Sequence, residues 1–410
     1  MHPFTPVKAI SLLLLLVFLL LPSGLSVRAA SHQITVAAGD WDRLDSVVSF
    51  ALPAGLSRSC HLEDSQGNLV PIQIADTGRR AWFIEKELKK GATKTYQLIQ
   101  TGLKAGSEQG VQVARESSRY TCSVGGKAVF SYQAEPSELP RANIKPAFKR
   151  GGYLHPVLTP SGRLITDDYP PNHLHHHGIW FSWAHTEFEG REPDFWNMGD
   201  TKGTTEFVSL DKTWNGPVHG GIQSRHRYVD LTTSERKIAV NETWLVTLYN
   251  VGAGLRRYWM FDLVSTQSCA TASPLKLPEY RYGGVGFRGR WDWNGKDNTF
   301  FLTSEGETNR DRGNGTPARW CHLSGNADGA QAGVAILCHP DNFRAPQPTR
   351  LHPTEPFFCF APQAAGDMEI VSGKPYVSRY RFIVADGPPD QAELNRLWND
   401  YAHPPAVKID

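Results

Sequence analysis

From residue 33 onward the apolar residues of this chain almost never recur with the 3.6-residue period of a helix. They come in short runs such as Val47-Val48-Ser49-Phe50-Ala51-Leu52, Leu69-Val70-Pro71-Ile72-Gln73-Ile74, Thr243-Trp244-Leu245-Val246-Thr247-Leu248-Tyr249, Tyr258-Trp259-Met260-Phe261-Asp262-Leu263-Val264 and Val334-Ala335-Ile336-Leu337. Turn residues such as Ser65-Gln66-Gly67-Asn68 separate them. Runs of this length bury their apolar faces by pairing into antiparallel sheets that stack on one another. The exception is Pro389–Tyr401, where Ala392, Leu394, Leu397 and Trp398 predict one short amphipathic helix. With no internal repeat and no strand–helix alternation, the expected fold is all-β. It is a large antiparallel β-sandwich preceded by a small immunoglobulin-like β module.

The small module is expected over 31–104, with Lys89-Lys90-Gly91-Ala92-Thr93-Lys94-Thr95-Tyr96-Gln97-Leu98 as its last turn and strand. Residues 102–117 are rich in Gly, Ser and Gln, which places a linker at 105–117. The large sandwich follows at 118–390, and a short helix and tail at 391–410. Residues 1–30 read as a signal peptide: Lys8, an apolar run from Ala9 to Leu21, then small residues up to Ala29 and Ala30, near which cleavage is expected. The apolar run is shorter than the ~20 residues of a membrane helix. A secreted or periplasmic protein with no membrane anchor is expected.

Basic and acidic residues nearly balance, 43 against 41, and no basic run stands out, so no nucleic-acid partner is expected. Gly (37), Pro (28) and Trp (12) favour short strands, many turns and aromatic surfaces, a composition that suits carbohydrate handling. Of the six cysteines, Cys60, Cys122, Cys269, Cys321, Cys338 and Cys359, the pair Cys321 and Cys338 ends two neighbouring strands and is a candidate disulfide. Otherwise they read as small buried apolar residues.

The densest chemistry lies in Pro171-Asn172-His173-Leu174-His175-His176-His177-Gly178-Ile179-Trp180-Phe181-Ser182-Trp183. If the segment is extended, His173, His175 and His177 share a face and His176 takes the other. His173 and His175 could then hold a divalent transition metal, with Asp167, Asp168, Glu187 or Asp194 completing the shell. The same imidazoles could instead act as acid, base and hydrogen-bond donors to sugar hydroxyls, or form a buried structural network.

Other segments add polar groups at turns. His155-Pro156 leads into Thr159-Pro160-Ser161-Gly162, and Asp194-Phe195-Trp196 sets an acid beside two rings. Tyr282-Gly283-Gly284-Val285-Gly286-Phe287-Arg288 lacks the spacing and the helix of a dinucleotide loop. Its glycines would let the backbone approach a ligand or a neighbouring strand. His339-Pro340-Asp341-Asn342-Phe343-Arg344-Ala345-Pro346 emerges from an apolar strand. No nucleophile elbow, metalloprotease helix or phosphate loop is present.

Taken together, His155-Pro156, Thr159–Gly162, His173-x-His175-His176 with Gly178, Asp194-Phe195-Trp196, Tyr282-Gly283-Gly284 with Phe287-Arg288, and His339-Pro340-x-Asn342-x-Arg344-x-Pro346 make the chain resemble the bacterial PmoA-like family of uncharacterised function. The chain departs from that pattern at Gln347-Pro348-Thr349-Arg350. The family's methane-oxygenase label does not suit a chain whose one long apolar segment is a cleavable signal. The resemblance implies a sandwich of the galactose-mutarotase type and an association with sugar dehydrogenases.

The function expected is an exported carbohydrate-active enzyme, a hydrolase or lyase acting on a glycoside or keto-sugar derivative. A non-catalytic carbohydrate-binding protein and a metal-dependent redox protein are the alternatives. His155, His173, His175, His176, Asp194, Arg288 and His339 are the expected catalytic groups. Trp180, Trp183, Trp196, Tyr282, Asn342 and Arg344 are the expected substrate contacts. All are expected to meet in one pocket, with His339 and Arg288 within a side chain's reach of His175.

Overall fold

The structure, a computed structural model, describes Met1 and residues 31–410 apart from 57–59, 101–109, 137 and 252–257. The expected signal peptide and its cleavage point lie outside the described residues. Among those described, no helix is long and apolar enough to cross a membrane.

Two eight-stranded antiparallel sheets form the large sandwich. One is built of long strands and runs from Gly203–Trp214 through His219–Asp230, Lys237–Tyr249, Tyr258–Cys269, Tyr376–Asp386, Ala330–Cys338 and Trp320–Ala327 to Thr299–Thr303. The other is built of shorter strands, in the order Thr349–Leu351, Phe357–Phe360, Gly284–Arg288, Ile179–Ser182, Tyr153–Val157, Lys127–Gln133, Arg119–Val124 and Val111–Glu116. Alternation decides which side chains meet between them. Trp244, Val246 and Leu248 of one long strand point inward, as do Phe261 and Leu263 of its neighbour. They pack against Phe130, Leu154, Phe181, Val285 and Phe287 of the facing sheet. Truncating one such side chain to alanine costs about 2–5 kcal/mol.

Residues 31–100 form a small two-sheet sandwich around Ile34, Val36, Phe50, Leu62, Phe83, Tyr96 and Leu98. The C-terminal strand Ala406–Ile409, expected as a tail, pairs with Ser31–Ala37 and completes this module. Val111–Glu116, expected within the linker, is instead an edge strand of the large sandwich, paired with Arg119–Val124. Its alternating Val111 and Val113 have a neighbouring strand to pack against, which composition does not register.

The outer face of the long-stranded sheet is covered by the small module and by the longest helix among the described residues, Gln391–Ala402. Asp390 caps that helix by accepting from the backbone N–H of Ala392 and Glu393. Leu394 and Leu397 join Ile84, Tyr249, Met260, Trp320, Leu337 and Ile383 in a second core. All six cysteines are free thiols. The suggested Cys321–Cys338 disulfide is absent because the register sets Cys321 opposite Ile336, while the backbone N–H of Cys338 bonds Arg319.

Candidate functional site: a histidine pocket on the outer face of the short-stranded sheet

The segment 170–177 is not extended. Its backbone makes two successive turns, with the N–H of His173 bonded to the carbonyl of Pro170 (3.0 Å) and that of His176 to His173 (2.8 Å). Coiling replaces the expected period of two, so the imidazoles regroup. His173 and His176 stack, with centroids 4.7 Å apart and planes 12° from parallel. His175 meets both edge-on, at 5.6 and 4.7 Å. The expected sharing of a face by His173, His175 and His177 is therefore wrong. His177 turns away, its Nδ1 2.6 Å from Asp168 Oδ1 and its ring stacked on Tyr153. Tyr153 also donates to Asp168, so this trio anchors the loop to the sheet.

Outward-facing residues of the sheet form the floor. Phe357 stacks on His176 at 4.7 Å, and Trp180 lies tilted beneath it at 5.0 Å. Gly286, opposite Trp180 in the ladder, leaves room for that indole; a Cβ there would sit 2.9 Å from the ring. The glycines of this strand thus admit a neighbouring strand's side chain, one of the two roles expected for them. Trp196 and Tyr282 form a further wall, 5.3 Å apart. Asn197, Arg281, Arg350 and His352 complete a cavity of about 140 Å³. At ~10–15 Å³ per water it has room for on the order of ten waters, the scale of a small polar molecule.

Beneath the imidazoles sits a buried ion pair. Glu355 Oε2 lies 3.0 Å from His173 Nδ1 and accepts a hydrogen bond from Arg288 Nη1. Arg288 is fully buried and also donates to Asn172 Oδ1 and Asn294 Oδ1, each at 3.1 Å. Burial alone would raise the Glu355 carboxyl, but the close approach of His173 and the charge of Arg288 outweigh it and hold the group at about 2. Burial, then the neighbouring His173, His177 and Arg288, brings His175 down to about 3. His176 is pushed far down for the same first reason, and His352 to about 4. His175, His176 and His352 are therefore neutral at physiological pH, the form in which imidazole ligates a metal. One ligand atom from each of His173, His176 and Glu355 falls within 4.8 Å of the others. Two donors on one ion lie at most about 4.2 Å apart when each bond is ~2.1 Å. In a tetrahedral shell with such bonds the donors lie about 3.4 Å apart, so the widest separation in the triad needs a closure of more than an ångström. The triad differs from the expected His173–His175 pair because the turn aims His175 elsewhere.

Several expected site residues do other work. Trp183 faces the inner core and donates to Gln267 Oε1 at 2.7 Å. Trp180 is fully buried, so neither indole can stack on a bound ring. His155 lies beside Thr166, 2.9 Å from its hydroxyl, outside the cavity wall. Asp194 accepts from the backbone N–H of Trp196 and Asn197 and from the Asn197 amide, fixing two wall residues while staying out of the cavity. The single-pocket expectation fails for His339, Asn342 and Arg344. Their loop joins the long-stranded sheet to Thr349–Leu351 of the facing sheet, and none of the three lines the cavity. His339 packs on Tyr401, Asn342 clamps the backbone of Arg379, and Arg344 caps the carbonyls of Pro362, Gly366 and Asp367.

The sequence model of a family of unknown function, DUF6807, matches residues 119–399, more than two thirds of the chain. The chain belongs to DUF6807. That finding replaces the PmoA-like resemblance, although every segment that carried the resemblance lies inside the matched range. The DUF6807 span contains every residue of the histidine pocket and leaves out the small module. No curated protein matches the chain. Among solved structures, the chain is similar to a glycosyl hydrolase family 38 protein from Enterococcus faecalis, at 12% identity and a TM-score of 0.47, over 93% of this chain and 47% of that one. It is also similar to a TPR-domain containing protein from Parabacteroides distasonis ATCC 8503, at 9% identity and a TM-score of 0.21, over 89% and 57%. The chain spans about half the length of the first.

The DUF6807 pocket also uses residues that the sequence reading passed over: Asn172, Asn197, Arg281, Arg350, His352, Glu355 and Phe357. A signal was present. His352-Pro353-Thr354-Glu355 is a further His-Pro pair, with an acid three residues on, directly after a strand. The backbone N–H of Glu355 bonds His352 Nδ1 at 3.1 Å, which locks the two together.

Proposed function

We propose that this DUF6807 protein is an exported carbohydrate-active enzyme, with a divalent transition metal held by His173, His176 and Glu355. The convergence of two stacked imidazoles and an ionised carboxylate at the base of an aromatic-walled cavity carries this reading. Two imidazoles and one carboxylate form a ligand set that leaves coordination positions open for substrate. A metal bound there supplies Lewis-acid polarisation of a substrate oxygen or activation of a water.

The chain's own groups would bind and orient the substrate. Tyr282, half-buried in the cavity wall, offers a ring face to a sugar, and Arg281 and Arg350 offer guanidinium forks to its oxygens. His175 and His352, neutral and at the cavity wall, can take hydrogen bonds from hydroxyls. Arg288 keeps Glu355 charged from below and never needs to reach the substrate. A pocket of this size suits one sugar ring, so cleavage or rearrangement of a terminal glycoside or keto-sugar unit is the reaction class.

The test is turnover of a panel of aryl glycosides and keto-glycosides by metal-loaded protein. Product formation that chelation abolishes and that Glu355→Gln removes supports the reading. Binding of the same sugars by wild-type protein with no turnover under any metal overturns it in favour of a binding protein.

A further inference from the structure

The outer face of the long-stranded sheet meets the small module at a cleft of about 530 Å³. Trp82 and Gln73 line it from the small module, and Trp214, His219, Tyr249 and Asp262 from the large sandwich. We infer that this cleft is a second carbohydrate site, which holds a neutral sugar residue without acting on it. The inference is independent of the histidine pocket and of any metal there, since the core of the sandwich lies between them.

The argument rests on a tautomer. Trp214 Nε1 lies 2.9 Å from His219 Nδ1. An indole N–H can only donate, so Nδ1 accepts. The proton of the neutral ring must then be on Nε2. His219 is only 8% exposed, and its Nε2 has no hydrogen-bond partner among the described residues. A buried donor in a cavity wall calls for an acceptor oxygen in the cavity.

The rest of the wall says which kind of oxygen. Asp262, the buried carboxylate, is committed to Arg381 at 2.7 and 2.9 Å and to the Tyr249 hydroxyl at 2.8 Å. At the rim Asp76 and Lys212 oppose each other in charge, and Lys212 lies 5.2 Å over the Trp214 ring. A cleft without surplus charge, lined by two partly exposed indoles and one N–H donor, matches a hydroxyl-bearing ring with an apolar face. The buried carboxylate is held in an ion pair and Asp76 stands at the exposed rim, so the cleft binds and does not react. The domains are pinned around it. Gln73 Oε1 accepts from the backbone N–H of Val218 and His219, and Gly216 gives that side chain room; a Cβ there would fall 2.1 Å from it.

The experiment is calorimetric titration of the full mature chain with methyl glycosides of glucose, galactose and mannose, each in wild type, Trp82→Ala, Trp82→Phe, Trp214→Phe and Glu355→Gln. One glycoside is expected to bind wild type and Glu355→Gln alike, to weaken about tenfold in Trp82→Ala and in Trp214→Phe, and to recover in Trp82→Phe. Trp214→Phe tests the tautomer without emptying the wall. Binding that survives both tryptophan variants, binding lost in Glu355→Gln alone, or no binding by wild type to any of the glycosides overturns the inference.

Discussion

The imidazole of His173 and the carboxylate of Glu355 lie 3.0 Å apart, although nearly half the chain separates them in sequence. The relationship depends on strand pairing. Phe357–Phe360 pairs with Gly284–Arg288, which pairs with Ile179–Ser182, so loops far apart in the chain leave adjacent strands at one end of the sheet. Glu355 then serves two partners, His173 above and Arg288 below.

Glu355→Ala leaves the Arg288 guanidinium buried without its counter-charge. Removing one partner of a buried pair costs about 3–5 kcal/mol. Urea unfolding of the variant is expected to show a loss of that size. The double variant Arg288→Met with Glu355→Leu should recover most of it, because neither charge then remains buried.

Gly286→Ala is expected to deform the pocket without touching it. The new methyl would meet the Trp180 ring at 2.9–3.0 Å, and Trp180 supports His176. Overpacking of this kind costs about 1–3 kcal/mol. The loss should appear in the melting temperature together with weaker metal retention, whereas alanine at Gly162, which has open space around it, should leave metal retention unchanged.

Stability should fall with acid in a window to which His322 contributes one proton's worth of slope beside the other histidines lowered by burial. Its ring is fully buried, and burial lowers it to about 3 in the folded chain, below its ordinary value of about 6.5. The folded state therefore binds the proton less readily than the unfolded one. This contribution is fully present above about pH 6.5 and is lost as pH falls toward 3, with a slope of at most ~1.4 kcal/mol per pH unit. Denaturant midpoints measured across that range should flatten in His322→Gln.

All six cysteines should react with a thiol-specific reagent in denaturant, and nearly none when the protein is native. Burial raises Cys122, Cys321, Cys338 and Cys359 well above the ordinary thiol range, and the last two reach about 11 and about 12. Reducing agent should not shift the melting temperature, since no bridge is there to break.

Strand alternation made the sandwich legible, because burial in a run such as Thr243–Tyr249 follows side-chain direction residue by residue. The helix near the C-terminus was equally plain, since Leu394 and Leu397 needed only one covered face. The pocket was legible where it is local: His173, His175, His176, Trp196 and Tyr282 all line it. Its other half, His352 with Glu355 and Arg350, arrives through the pairing of distant strands; the run His352-Pro353-Thr354-Glu355 marks a polar loop after a strand, but nothing local says that this loop meets His173. The conformation of the histidine run was misjudged because the Pro170 and His173 carbonyls accept turn hydrogen bonds, and residue types alone did not reveal them. His339 to Arg344 was misassigned for a related reason. A polar loop at a strand end looks alike whichever sheet the strand joins.

The most direct test of the central claim is elemental analysis of the protein, loaded with Zn²⁺, Mn²⁺ or Fe²⁺ in turn and desalted, beside His173→Ala and His176→Ala. The account predicts that wild type retains about one ion per chain for one of these metals and that each variant retains a small fraction of that. If wild type retains no more than the His176→Ala protein for all three metals, the histidine pocket is not a metal centre.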